Sequence, residues 1–471
     1  MKLGLNHREN VSLVSAQLRA HENFDVIERH LDIAGEDVCF FYIDGFTKDS
    51  EMQRMMQYLL SKKEIPEARR LSEELPYLEV GLGGGIDVLV TAVLSGQTAL
   101  ISSAFPTESI LVDLRTYPAR DTAEPDGDRV MQGSHDGFVE TLIMNTALIR
   151  RRIRDSRLTM RHFDLGGVSH TDVVLCYIEG VADEKLVASL TKRLKSVKPE
   201  GVCLGYRSVI ESLLRKGWLN PFPKIRLTER PDTASAQLLE GSVLIITDTS
   251  PQVMILPTSI FDFLQQTDDY YFPPLTGTYL RIVRTLILIL SVIATPVWYL
   301  CLEYSDTLPA YLSFLVPENP GALPIIFQLL LVEIAIDGLK IASMNTPDTL
   351  SNSLSVVGAL LLGDFAVEAG WLCGDVILYT SFVAIAGFAQ QNAELGYAFK
   401  FMRVIMLILT YFLGVWGLLA GVLLFFILVA TNVTLGDGRR YLYPLIPFNP
   451  RAMAHLLFRT KKRDFYSKTK K

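Results

Sequence analysis

The residues best placed to do chemistry are ionisable groups inside apolar segments. Glu333, Asp337 and Lys340 recur at i, i+4 and i+7 within the apolar stretch 322–342. On a helix that spacing puts them along one stripe. Asp364 and Glu368 are again four apart in the stretch 355–373, and Asp375 stands at the next boundary. A charge in hydrocarbon costs about 2.5–3.5 kcal/mol even on the gentlest scale. Such groups must pair, face water or lie near a headgroup level. One arrangement is a hydrated path, in which acidic helix faces from several subunits surround an axis and favour cations. The other is a set of salt bridges, such as Lys340 with Glu368 of a neighbouring helix. Ser355, Gly358 and Leu362 form a second candidate pore face, which ordinary helix packing explains equally well. Gly414, Gly417 and Gly421 lie in the last apolar stretch, the final two as GxxxG. That spacing allows helix backbones to approach closely, or leaves glycines facing lipid.

Other chemistry is missing. The run GLGGGID (81–87) lacks the GK[ST] ending of a P-loop and has Ile86 where GxGxxG needs glycine. It reads as a flexible turn before a helix. There is no HExxH, no GxSxG elbow and no His/Cys ligand spacing. His170, near Asp172 in GVSHTD, has the look of a catalytic fragment, but a loop histidine accounts for it. The five cysteines (Cys39, Cys176, Cys203, Cys301 and Cys373) contain no CxxC and read as reduced thiols. These observations point to a non-enzyme with no cofactor and no metal. The net charge of −6 carries no basic domain, so nucleic acid is not an expected partner.

Short apolar runs alternate with helical patterns up to about residue 275. Strands are predicted over 38–43, 98–102, 109–114, 173–178, 243–247 and 253–256. Helices are predicted over 52–62, 86–94, 137–154, 183–197 and 206–216, with a helix start at Pro231-Asp232. A Pro/Asp/Gly-rich linker, 117–133, separates the two groups. The alternation predicts an α/β N-terminal region of two subdomains, 1–132 and 133–278.

An all-α polytopic transmembrane bundle follows over 279–435, then a basic tail over 436–471. Apolar stretches at 285–302, 322–342, 355–373, 376–389 and 401–433 are its candidate segments. The last is longer than one straight span needs and reads as a tilted helix or a kinked pair. Arg281 and Arg284 precede the first span and put that end in the cytosol. The N-terminus has no apolar signal region, so the long segment before the first span is expected to be cytosolic too. With the basic tail also cytosolic, the number of crossings is even, four or six.

Several motifs in fixed order carry a resemblance. GFVETLIMNTALIRRRIRDSRL (137–158), EP (124–125), NPFPK (220–224), TERPDTASAQLLEG (228–241) and DYY (269–271) resemble the signature of the A-type subunits of spore germinant receptors. SVVGALLLGDFAVEAG (355–370) extends the likeness into the apolar half. The stretch 362–389 and the ending YLYPLIPFNP (441–450) favour a branch apart from typical receptor subunits, as does PGALPIIFQLLLVEIAIDGLKIASMNTP (320–347). The resemblance implies the inner spore membrane, two α/β subdomains in the cytosol and a ring-shaped homo-oligomer, a pentamer. It also implies passage of monovalent cations early in germination and work with another spore membrane protein and with germinant receptors. On this reading helices of 322–374 line the pore. The alternatives are a non-conducting signalling or scaffold subunit, for which the basic run Arg150–Arg154 offers a contact surface, and a nutrient-sensing A subunit. A transporter would show inverted repeats, and none is detected in the sequence.

Overall fold

The structure is a computed structural model. It describes all residues except 1, 117–127, 129, 198–200, 215–218, 267, 347–357, 359–362, 364, 391, 433, 436–440, 451, 452, 454, 455, 457 and 459–471. Most of the predicted linker, the EP pair, Ser355, Leu362, Asp364 and most of the basic tail therefore lie outside the described residues. The chain forms two compact units. The first comprises Met1–Lys216, Ile225–Thr258 and Thr434–Arg439, and the second comprises Gly217–Lys224, Ser259–Val433 and Arg440–Lys471.

The first unit holds two five-stranded sheets. Helix α1 (His7–Leu18) precedes strands β1 (Val26–Ile33) and β2 (Glu36–Ile43). Then come α2 (Asp49–Leu60), α3 (Ala68–Glu74), β3 (Val80–Gly83), α4 (Ile86–Leu94), β4 (Thr98–Ser102) and β5 (Ser109–Val112). The second set is α5 (Leu142–Arg152), β6 (Leu158–Leu165), β7 (Thr171–Ile178), α6 (Glu184–Lys195), α7 (Tyr206–Leu213), β8 (Arg226–Thr228), α8 (Pro231–Leu239), β9 (Val243–Thr247) and β10 (Val253–Leu256). The strand orders are β1-β2-β4-β5-β3 and β6-β7-β9-β10-β8. Every pairing is antiparallel.

The two halves have one element order and one sheet topology, so this unit is a structural duplication. Side chains repeat with it. In the first half the Asn10 amide donates to the carbonyl of Gly4 at 2.9 Å and accepts from its N–H at 2.8 Å. In the second, Asn145 does the same to Val139, six residues earlier, at 2.5 and 2.8 Å. That clamp explains why the second helix begins at Leu142 and not at residue 137, where the apolar pattern starts. Both backbone groups of Val139 are committed to the Asn145 side chain, and the Phe138 N–H donates to the Glu229 carbonyl at 2.7 Å.

Edge strands are where the sequence pattern misleads. β1 reads VIERHLDI, with polar residues on an exposed face, and no apolar run marks it. β3 is VGLG, a stretch that reads as a turn, yet it pairs with β5 from Val80↔Val112 to Gly83↔Ser109. Glycine weakens a strand interior, but an edge position tolerates it. The β1–β2 hairpin turns on Ala34 and Gly35, at φ of 56° and 86°. Positive φ at both central residues is the geometry of the I′ turn that matches strand twist.

Several ties join the halves of this unit. Arg150 donates from Nε and Nη2 to the two oxygens of Asp25, both at 2.9 Å. Both side chains are buried, at 0% and 2% exposure. The Met160 N–H donates to the Asn23 side chain at 2.7 Å. Gly45, at φ 81°, lies where a Cβ would meet Ile143 at 2.9 Å. Of the basic run, Arg150 is buried and Arg152 bonds Asp136 at 2.6 Å, while Arg151 and Arg154 are exposed.

The second unit is helical. α9 (Asp268–Tyr271) leads into α10 (Pro274–Glu303), followed by α11 (Ile325–Met344), α12 (Gly374–Phe388) and α13 (Ala393–Ala430). α10 and α13 are long and apolar enough to cross a membrane. Within the stretch 355–373, Ala366–Glu368 forms a short helical turn.

α13 is not straight. Gly414 interrupts it at φ 56°, ψ −133°, a conformation open mainly to glycine. The two arms then lie against each other. Phe399 stacks on Phe425 with ring centroids 5.9 Å apart. A Cβ on Gly421 would meet Met406 at 2.6 Å, and one on Gly417 would run into the Leu409 carbonyl. The long apolar stretch is therefore a helical hairpin that reverses at Gly414, with Gly417 and Gly421 between its arms. Gly358 also stands close to a neighbour: its Cβ position is 2.5 Å from Leu339 of α11.

Candidate functional site

The charged stripe of α11 faces α13. Glu333 accepts from Arg403 Nε at 2.8 Å and from Nη2 at 2.7 Å. The Lys400 ammonium reaches the other Glu333 oxygen at 3.2 Å, the Glu333 carbonyl at 3.0 Å and the Asp337 carboxylate at 2.6 Å. Arg403 also donates to the carbonyl of Ser291 on α10, at 2.9 Å. Lys340 stands over the Tyr397 ring with its ammonium 4.7 Å from the centroid. Charge-assisted bonds of this length are the strong class, and low surrounding polarity strengthens them further.

Those partners correct the expected pairing. Glu333 and Asp337 are neutralised by Lys400 and Arg403, and Lys340 goes to an aromatic face. Glu368 is exposed in its short helical turn, while Asp364 lies outside the described residues. The signal for the missing cations was present. Lys400 and Arg403 are three apart, one helical turn, in AFKFMRV. A window that opens the last apolar segment at residue 401 cuts that pair in two.

Beside the cluster is a cavity of about 160 Å³, lined among others by Asp337, Lys340, Gln390, Tyr397, Lys400 and Arg403. The buried Gln390 amide has no hydrogen-bond partner among the described residues. Lys340, Lys400 and Arg403 line this cavity together with Glu333 and Asp337. A cation path through this cavity would need the carboxylates freed from their present partners, or acidic groups from other chains.

The motif residues have structural work. Asp269 of DYY accepts from Arg284 Nη1 at 3.0 Å, from Arg284 Nη2 at 3.1 Å and from Arg281 Nε at 3.2 Å. The two arginines, which lie within α10 ahead of its apolar stretch, are buried and ion-paired. Their weight as free positive charge in setting orientation is reduced accordingly. Phe222 of NPFPK sits edge-on to Phe399 and Phe425, at 6.0 and 5.5 Å. Asn220 donates to the Leu428 carbonyl at 2.7 Å, and Asn432 returns a bond to the Pro223 carbonyl at 3.2 Å. NPFPK is thus a plug against the hairpin arms. In TERPD, the buried Arg230 bonds Asp232 at 2.8 Å and the Ser134 carbonyl at 2.8 Å.

His170 pairs with Asp164 at 2.9 Å, on an exposed loop, while Asp172 is held by His162 at 2.7 Å. The suspected His170–Asp172 fragment does not form.

Residues 15–470 match the family described as Bacillus/Clostridium GerA spore germination protein. The chain belongs to the GerA family. Among its GerA-family relatives, stage V sporulation protein AF of Bacillus subtilis (strain 168) is 36% identical over 452 residues, covering 93% of this chain and 90% of that protein. The uncharacterized membrane protein YfkQ of the same organism is 30% identical, covering 85% of this chain and 79% of that protein. Spore germination protein KA, again from that strain, is 28% identical, covering 92% and 81%. The solved N-terminal domain of the A subunit of the Bacillus megaterium spore germinant receptor GerK3 aligns at 25% identity with a TM-score of 0.42, over 54% of this chain and 96% of that one. This GerA-family chain therefore spans most of the length of its relatives.

Proposed function

We propose that this GerA-family chain is a subunit of an oligomeric assembly in the inner spore membrane that passes monovalent cations during germination. The two-sheet unit sits in the cytosol on this reading, and the helical unit crosses the membrane several times. The observation that carries it is the cluster of Glu333, Asp337, Lys340, Lys400 and Arg403 beside a cavity among apolar helices. Simple anchoring does not need five ionised groups there, and each costs free energy to keep. In the closed arrangement Lys400 and Arg403 hold the carboxylates. Opening separates α11 from α13, frees Glu333 and Asp337, and lets copies in a homo-oligomeric ring, a pentamer, present them to an axis. Another spore membrane protein and germinant receptors are the partners that bias this equilibrium.

The test is K⁺ and Na⁺ flux in liposomes containing the purified chain, with and without a co-purifying membrane partner. Flux above empty liposomes, reduced by Asp337→Asn and raised by Lys400→Gln, is expected. Flux equal to empty liposomes under both conditions rejects conduction. The complete pairing of Glu333 and Asp337 favours a second reading, a non-conducting scaffold of a receptor complex. That reading gains if the chain co-purifies with receptor subunits and never conducts.

A further inference from the structure

In the first sheet, the β1–β2 register pairs His30 with Cys39 and Glu28 with Phe41. Cross-strand partners share a face and residues two apart on one strand do too. Glu28, His30, Asp37 and Cys39 therefore lie on one side of the hairpin. α1 covers that side, where Val11, Val14 and Leu18 share a core with Val26, Cys39 and Phe41. At the polar end a cavity of about 460 Å³ opens between them, lined by Ser12, Ser15, His21, Glu28, His30 and Asp37 among others.

We propose that Glu28, His30 and Cys39 bind one divalent transition-metal ion of zinc-like character. One donor atom from each of the three lies within 4.8 Å of the other two. Donors about 2.0–2.3 Å from a tetrahedral ion are separated by less than twice that, so a small inward rotation suffices. The mixed oxygen, nitrogen and sulfur set selects a borderline ion over Mg²⁺ or Ca²⁺.

The surrounding bonds already orient the ligands. His30 Nε2 is 3.1 Å from Glu28 Oε1, and its Nδ1 is 3.0 Å from Asp37. With the ion on Nε2, the Nδ1–H donates to Asp37, the carboxylate–histidine–metal relay that fixes ring and tautomer. Asp37 is itself held by the buried His7 at 3.1 Å. The Ser15 hydroxyl donates to Glu28 Oε2 at 2.6 Å, which leaves Oε1 for the ion. Cys39 loses its thiol proton to solvent as the metal–sulfur bond forms, and a water from the cavity fills the fourth position.

The duplication supplies an internal control. Matching the register of β6–β7 to that of β1–β2 places Met160, His162, Val174 and Asp172 where Glu28, His30, Cys39 and Asp37 stand. The His–Asp pair occurs in both halves, at 2.7 Å in the second. The additional carboxylate and thiol occur only in the first. The His–Asp pair is therefore part of the repeated scaffold, and Glu28 and Cys39 are what the first half adds to it.

The experiment is a Co²⁺ titration of the full chain in detergent micelles, untagged, reduced and stripped of metal, followed by Zn²⁺ competition. One Co²⁺ per chain is expected, with a visible ligand-field band and a near-ultraviolet thiolate-to-cobalt band, both abolished by Zn²⁺. His30→Ala and Glu28→Gln should each weaken binding tenfold or more. Asp37→Asn should weaken it by about 10–100-fold. Cys39→Ser should remove the thiolate band, and if that buried variant does not fold, His30→Ala at the exposed ring carries the test. His162→Ala and Cys203→Ser should change nothing. No stoichiometric Co²⁺, a thiolate band that follows Cys203, or full affinity in His30→Ala overturns the proposal.

Discussion

Arg403 on the first arm of the α13 hairpin holds Glu333 on α11 through two N–H donors, at 2.8 and 2.7 Å, with both side chains buried. The pair ties two apolar helices together. Removing Arg403 leaves the buried Glu333 to Lys400 alone, at 3.2 Å, and breaking such buried pairs costs up to about 3–5 kcal/mol. Arg403→Leu is therefore expected to lower the thermal midpoint of the detergent-solubilised chain strongly. The double variant Glu333→Gln with Arg403→Gln should recover much of it. Equal damage in the single and double variants would show that the pair does not couple these helices.

The Asp25–Arg150 pair joins the two halves of the sheet-bearing unit. Arg150→Met leaves Asp25 buried without its bidentate donor and should destabilise that unit by about 3–5 kcal/mol. Replacing both with apolar residues should be far milder. Urea denaturation followed by far-ultraviolet circular dichroism, with a double-mutant cycle, reads the coupling. A cycle that sums to zero would place the stability elsewhere.

Gly414 turns the hairpin with a backbone that alanine adopts only under strain. Gly414→Ala should cost about 1–3 kcal/mol, the penalty of holding a side-chain-bearing residue in a sparsely populated backbone region. Gly421→Leu should cost more, because its side chain would enter the space of Met406. Limited proteolysis at the turn in each variant reports whether the arms stay together. Unchanged proteolysis in Gly421→Leu would contradict the close packing.

Acid should weaken the sheet-bearing unit. The Arg115 guanidinium beside Asp113 holds its carboxyl below the ordinary range, and Arg157 does the same to Asp155. A lowered native pKa contributes stability in full above the unfolded value, about 3.9. That contribution fades as pH falls through the lowered native value. Asp113→Asn should thus be less stable than the parent at about pH 6, and the difference should shrink as pH falls below the unfolded value of about 3.9. A stability difference that persists undiminished at the acid end would exclude this linkage.

The alternation of strands and helices, the apolar stretches and the stripe Glu333–Asp337–Lys340 were legible because each is a local pattern. Periods of two and 3.6 residues appear in any window long enough to hold them. The edge strands β1 and β3 were hidden because one face of each is exposed or lacks side chains, so no apolar run announces them. The duplication was hidden for another reason: it resides in strand order and in single positions such as Asn10 and Asn145, while the residues between them differ.

The primary structure alone determined that charges stand at helical spacing inside apolar helices, and that the chain carries the motifs of its family. Only the tertiary structure decided what those charges touch. Glu333 and Arg403 are 70 residues apart in sequence, and the reversal at Gly414 together with the packing of α11 on α13 brings them within bonding distance. Likewise His30 meets Cys39 through hairpin register, and Asp25 meets Arg150 through the docking of two repeats. Pairing over such separations depends on where whole elements pack, and no local periodicity encodes that.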